Sequence, residues 1–130
     1  MSNSKKISNF FNKLFEETQE GKIEWDITPT GEWATFTINP QHIHRSFTCM
    51  FEDQKIVFLV KAYQTFDEDF EIAYDKIYFE LLILKKKRIV DPYVMVFKLD
   101  ENYIPFTKFE SLYELIAEES SDAKDFFSKF

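Results

Sequence analysis

His42-Ile43-His44 is the pair whose residue type and spacing come nearest to metal chemistry in this chain. On a regular strand, residues two apart project from one face, so both imidazoles could meet the same ion. A zinc site needs at least one further ligand, and Cys49 falls on the opposite face of such a strand. His42 and His44 are thus the candidate metal pair, weighed against ordinary surface or half-buried histidines. Cys49 is the chain's single cysteine, so no intrachain disulfide forms, and a reducing compartment suits it. In the alternating stretch from Arg45 to Phe51 it reads as a small core residue, because a reactive thiol needs a depressed pKa and a neighbouring base.

Two charged clusters invite a functional reading. Asp67-Glu68-Asp69 with Glu71 could hold a divalent cation, but the alternating ligands, central Gly and closing Glu of a calcium loop are absent, so a solvated acidic loop is expected. Lys85-Lys86-Lys87-Arg88 could face phosphate, yet no glycine-rich backbone accompanies it, and it reads as a solvated hairpin end. The chain has no Gly-x-Ser-x-Gly elbow, no His-Glu-x-x-His, no phosphate-binding Gly-Lys loop and no dinucleotide fingerprint. Its only glycines are Gly21 and Gly31, too few for a phosphate cradle. No cofactor and no catalytic residue are therefore expected.

A chain of 130 residues suits one domain, here residues 1–130, with one sizeable core. The formal net charge of −7 repels phosphate backbones and anionic lipid, which argues against nucleic acid and membrane as partners. The longest apolar runs, such as Ile56–Val60 and Tyr93–Phe97, are far too short to span a bilayer as helices. The start, Met1 to Asn12, lacks the unbroken apolar stretch of a secretory leader, so a cytoplasmic protein is expected. Sixteen Phe beside two Gly fit an AT-rich genome, with rings filling the core.

These residues must be carried by an α+β fold: an N-terminal helix, an antiparallel meander of five or six strands, and one or two C-terminal helices. Ile7, Phe10, Phe11, Leu14 and Phe15 lie at helical spacing, predicting a helix from about Ser8 to Glu20 that Gly21 terminates. Period-two spacing follows, with Ile23, Trp25 and Ile27 on one face. Pro29-Thr30-Gly31-Glu32 predicts a turn into a second strand, Trp33–Ile38, making a hairpin. A third strand, His42–Phe51, would place Ile43, Phe47, Cys49 and Phe51 on one face. After the polar turn Glu52-Asp53-Gln54, Lys55–Tyr63 reads as a central strand, buried on both faces. Thr65–Glu71 reads as a loop, and Lys76–Leu84 as a strand by its aromatics and context, although its composition also suits a helix. Asp91-Pro92 interrupts the chain before a sixth strand, Tyr93–Leu99. Thr107-Lys108-Phe109-Glu110 matches a capping box, and Ser121-Asp122 offers another helix start.

The stretch Leu14-Phe15-Glu16-Glu17-Thr18-Gln19-Glu20-Gly21-Lys22-Ile23-Glu24-Trp25 resembles the opening of a recurrent group of small bacterial domains of uncharacterised function. There a short helix ends in Thr, then Gly-Lys-Ile, then a strand carrying Trp. Leu112-Tyr113-Glu114-Leu115-Ile116 is similar to that group's closing helix. The resemblance covers the two ends of the chain and implies a bacterial or phage-associated domain with a central meander. It implies no catalytic residue.

Two functional expectations follow. The first is a non-enzymatic protein-interaction module, such as an immunity, inhibitor or accessory protein of a bacterial or phage system, whose acidic surface steers it onto a basic partner protein. The second is a small-ligand domain with an aromatic pocket between sheet and helices, lined by Trp25, Trp33, Tyr63 and Tyr78.

Overall fold

A computed structural model of the chain describes residues 2–37, 39–86, 93–119 and 125–130. Helix α1 (Ser2–Gln19) leads into strands β1 (Asp26–Ile27), β2 (Ile43–Phe51), β3 (Gln54–Asp67), β4 (Ile72–Lys86) and β5 (Tyr93–Leu99), then helix α2 (Phe106–Glu119). The strands form one antiparallel sheet in the order β1-β2-β3-β4-β5, so neighbours in sequence are neighbours in space. The α+β meander flanked by helices is the architecture that the periodicities predict. No helix among the described residues is long and apolar enough to cross a membrane.

Gly21 stops α1 because it adopts φ +76°, a conformation that a Cβ disfavours. Its amide donates to Thr18 O (3.1 Å) and that of Lys22 to Glu17 O (2.9 Å), which satisfies two helix-end carbonyls. The turn sends the chain back along the sheet and drops Trp25 into the core. There the buried indole Nε1–H donates to Thr18 Oγ1 (3.0 Å), whose own proton goes to Leu14 O (2.7 Å). Helix and first strand are thereby pinned through one hydroxyl.

The sheet is covered on both sides. On one face α1 and α2 pack Phe11, Leu14, Phe109, Leu112 and Ile116 onto Phe47, Ile56, Phe58, Phe79 and Leu81. Phe58 sits at the centre of this layer, with its ring 6.1 Å from that of Phe109 and 5.6 Å from that of Phe79. On the opposite face Ile43, Val57, Leu59, Leu82 and Leu84 form a second cluster beneath Trp33 and Phe36. Strand β3 therefore buries successive residues on both faces from Ile56 to Val60.

That second cover corrects the predicted hairpin. Thr30–Thr35 is a 3-10 helix rather than a strand, and β1 pairs with β2 through Asp26–Thr48 and Ile27–Phe47. Local bonds hold the turn: the Glu32 amide donates to Pro29 O and the Phe36 amide to Trp33 O. Trp33 and Phe36, three residues apart, share a side in a helix of three residues per turn and cover the second core cluster. Ile38 lies outside the described residues.

Other boundaries shift as well. Helix α1 begins six residues before Ser8, as no Pro or Gly interrupts the preceding residues. A bulge between Ile43 and Arg45 turns Ile43 onto the face opposite Phe47, and His42 ends a 3-10 turn instead of opening the strand. Ile27 is exposed rather than sharing the buried face of Ile23 and Trp25. The loop expected over Thr65–Glu71 shrinks to a turn at residues 68–71, because β3 runs to Asp67 and β4 begins at Ile72, and Lys76–Leu84 is indeed strand. Helix α2 starts at Phe106, where Pro105 O accepts from the Lys108 and Phe109 amides, instead of at a Thr107 capping box. Lys85 and Lys86 end β4, while Lys87, Arg88, Asp91, Pro92 and the start at Ser121-Asp122 lie outside the described residues.

The Thr18 hydroxyl is a sensitive point. Thr18→Val keeps the shape and leaves the buried Trp25 N–H without an acceptor, so urea unfolding is expected to show a loss of about 1–3 kcal/mol with an unchanged m-value.

Candidate interaction surface

Strands β3 and β4 outrun the rest of the sheet. β2 pairs with β3 no farther than Lys61, and β5 pairs with β4 no farther than Leu81, yet β3 and β4 continue pairing to Asp67 and Ile72. Residues 62–77 thus form a two-stranded arm whose strands extend about 20 Å past the sheet. Opposed residues share a face. Gln64, Phe66, Ala73, Asp75 and Ile77 lie on the helix side, with Tyr63, Thr65, Tyr74 and Lys76 on the other.

The arm begins at an ion pair. Lys61 Nζ lies 2.9 Å from Glu80 Oε1, and their side chains are only 8% and 14% exposed; Lys98 Nζ reaches the second Glu80 oxygen at 3.8 Å. Lys61 and Glu80 sit diagonally on neighbouring strands, next to Ile43 and Leu59 of the second core cluster. Beyond them the aliphatic core gives way to rings. His42 stacks on Tyr63 at 4.4 Å, Tyr63 meets Tyr78 edge-on at 5.1 Å, and Lys76 Nζ stands 5.4 Å from the Tyr78 ring. A cleft of about 400 Å³ at this foot is lined by Tyr63, Tyr78, Glu80, Asp100 and Glu101.

At the far end the tip is ordered by its own backbone. Asp67 Oδ1 accepts the amides of Asp69 (2.9 Å) and Phe70 (3.3 Å), while Glu71 closes the turn at φ +51°. The turn holds Phe70 outward, 73% exposed, and Phe66 is 58% exposed beneath it. Ile72, Tyr74 and Ile77 add further exposed apolar surface. Around them stand Asp67, Glu68, Asp69, Glu71 and Asp75 against one cation, Lys76.

The sequence-predicted site residues are dispersed. Trp25 is fully buried on the helix side, whereas Trp33, Tyr63 and Tyr78 belong to the opposite face. The space between sheet and helices is filled by the Phe58 layer. A groove of about 470 Å³ at its β5 margin is lined by Ile7, Phe10, Phe97 and Tyr103, and by none of the four. His42 stacks on Tyr63, while His44, at the bulge, lines a separate pocket with Trp33 and Arg45. Among the described residues no three His, Cys, Asp or Glu side chains gather as a metal would need. Cys49 is buried in the helix-side core, and that burial pushes its thiol pKa up.

Core filling does not account for the phenylalanines. Six are buried, but Phe66, Phe70, Phe97, Phe106, Phe126, Phe127 and Phe130 are exposed. The alternation of Ile72, Tyr74, Lys76 and Tyr78 was the available signal for the arm. It is weak because neither face of the arm is buried.

No protein-family model matches the chain, and neither a curated protein nor a solved structure is found similar to it.

Two outcomes follow from this geometry. Lys61→Met, which leaves Glu80 with only the Lys98 ammonium at 3.8 Å, is expected to cost about 1–3 kcal/mol in chemical denaturation, while Lys61→Met with Glu80→Leu recovers most of that loss. Iodoacetamide should leave Cys49 unmodified in the native protein at neutral pH and modify it fully in denaturant, read by intact mass.

Proposed function

We propose that this protein is a non-enzymatic interaction module whose β3–β4 arm docks into a cleft on a basic partner protein. The observation that carries this reading is the exposure of Phe66, Phe70, Ile72 and Tyr74 on a freestanding acidic hairpin. Phe66 projects from one face of the hairpin and Ile72 and Tyr74 from the other, and exposed apolar side chains concentrated in this way mark a segment that another molecule covers. Aromatic side chains supply the contact area that dominates binding energy. The surrounding carboxylates supply orientation and on-rate toward a positive surface, and they discourage arm-to-arm strand pairing between copies.

The Asp67 turn contributes in a different way. By fixing the tip before contact, it lowers the ordering cost of binding. The acidic cleft beside Tyr63 and Tyr78 continues the same surface toward the sheet and suits a lysine or arginine from the partner. An immunity, inhibitor or accessory role in a bacterial or phage system fits this arrangement, since an acidic arm can occupy a basic site that otherwise meets nucleic acid.

The triple change Phe66→Ser, Phe70→Ser and Tyr74→Ser tests the reading, because these side chains contribute nothing to either core cluster. Affinity purification from the native host is expected to yield a stoichiometric, salt-sensitive protein partner with the wild type and none with the variant, at equal melting temperature. Equal recovery of the same partner by both proteins, or no protein partner for the wild type, contradicts it.

A further inference from the structure

Strand β4 keeps an open edge where β5 leaves it. β5 pairs with β4 only as far as Leu81–Leu99. Asp100 O then accepts the amides of Tyr103 (3.0 Å) and Ile104 (3.1 Å), which turns the chain off the sheet and seats Ile104 in the helix-side core. Among the described residues nothing pairs with β4 on that side from Ile72 to Glu80. The main chain there presents N–H and C=O groups, at alternate residues, that a neighbouring strand would take up.

The two edges of the arm are unequal. On the β3 side the 3-10 turn Pro40–His42 stands at the root, with the His42 ring against Tyr63 at 4.4 Å. Ala62, Tyr63, Thr65 and Asp67 are half-buried, whereas every residue from Ile72 to Ile77 is exposed. The cleft of about 400 Å³ at the foot belongs to the β4 side. Three consecutive residues, Tyr78, Phe79 and Glu80, line it, and successive strand side chains alternate between faces, so the cleft opens on the edge and not on one face alone. Asp100 and Glu101 line it from the turn. Neither these two carboxylates nor that of Asp75 is in an ion pair among the described residues.

We infer that one wall of the basic partner's cleft is an extended strand that adds to this edge of β4, in the line that β5 abandons. This rests on the docking role proposed for the arm and specifies how the contact is made. Main-chain hydrogen bonds supply affinity, and side chains of the added strand lie alternately beside Tyr74 and Tyr78 on one face and beside Ile77 and Phe79 on the other. A lysine or arginine of that strand over the cleft meets Asp100 and Glu101. A second acidic arm offers those carboxylates only like charge, so the edge favours a basic strand over a copy of itself.

Titration of the isotope-labelled full chain with the capped hexapeptide Arg-Val-Thr-Val-Lys-Val, about 20 Å long when extended, tests this by NMR-detected hydrogen exchange. Two control peptides carry Pro for the middle Val, or Glu for both basic residues. The basic peptide is expected to protect every second amide between Ile72 and Glu80 and to leave the outward-facing amides of Ala62–Asp67 unprotected. Neither control should protect them. Whichever of Asp75→Pro and Lys76→Pro removes a protected amide should abolish binding with β3–β4 cross-strand contacts retained, since Pro is tolerated where the N–H faces outward. Asp100→Asn with Glu101→Gln should weaken binding roughly fivefold at low salt. No response to the basic peptide, protection on β3 instead, equal binding by either control, or undiminished binding in that Pro variant overturns the edge assignment. Docking through the arm stands or falls separately, on the serine changes at Phe66, Phe70 and Tyr74.

Discussion

Strand β3 has to be buried on both faces, and the rest of the molecule is arranged around that requirement. From Ile56 to Val60 every side chain is apolar, so each face of the strand needs its own cover. Helices α1 and α2 provide one, through the ring layer centred on Phe58. The 3-10 helix carrying Trp33 and Phe36 provides the other. Both covers hang on short polar links. Thr18 ties α1 to Trp25, and Trp33 is anchored by Thr28, whose hydroxyl bonds that of Thr48 on β2.

The boundary of this cover is also where the exposed arm begins. At Lys61 the apolar sequence ends, and the Lys61–Glu80 pair closes the core with charge where a further hydrophobic residue would demand more cover. An ion pair of this kind adds little net stability, but it fixes which strand positions face each other. Past it, apart from the His42 ring on Tyr63, the described residues pair β3 and β4 only with each other. A two-stranded ribbon is marginal alone in water, so the arm depends on the sheet at its root and on the Asp67 turn at its tip. Such a segment is low in local stability and rich in exposed rings, properties that suit binding more than core formation.

Much of this was legible in the sequence where one residue carries one unambiguous physical demand. Gly21 needs positive φ, Trp25 needs burial, and the β-branched run of β3 needs two covered faces. The misreadings share a cause. Trp33–Ile38 alternates like a strand, but its role was set by an exposed sheet face elsewhere in the chain, which local periodicity does not reveal. The bulge at His44 inverts the face of Ile43, and no residue type marks it. Thr65–Asp67 looked like part of a loop because a strand with two solvated faces has no reason to alternate. For the same reason the candidate surface was the least visible part, because the arm carries no burial pattern.

Cover ends at Lys61–Glu80, and the arm beyond it is open to solvent. Native-state hydrogen exchange of the isolated protein measures this residue by residue. Hydrogen-bonded amides in Ile56–Val60 and Phe79–Leu82 should exchange only through global unfolding, while those in Ala62–Asp67 and Ile72–Ile77 should exchange through local opening at far lower free energy. Arm amides protected as strongly as those beside Phe58 would show that the arm is already covered, and would contradict the account.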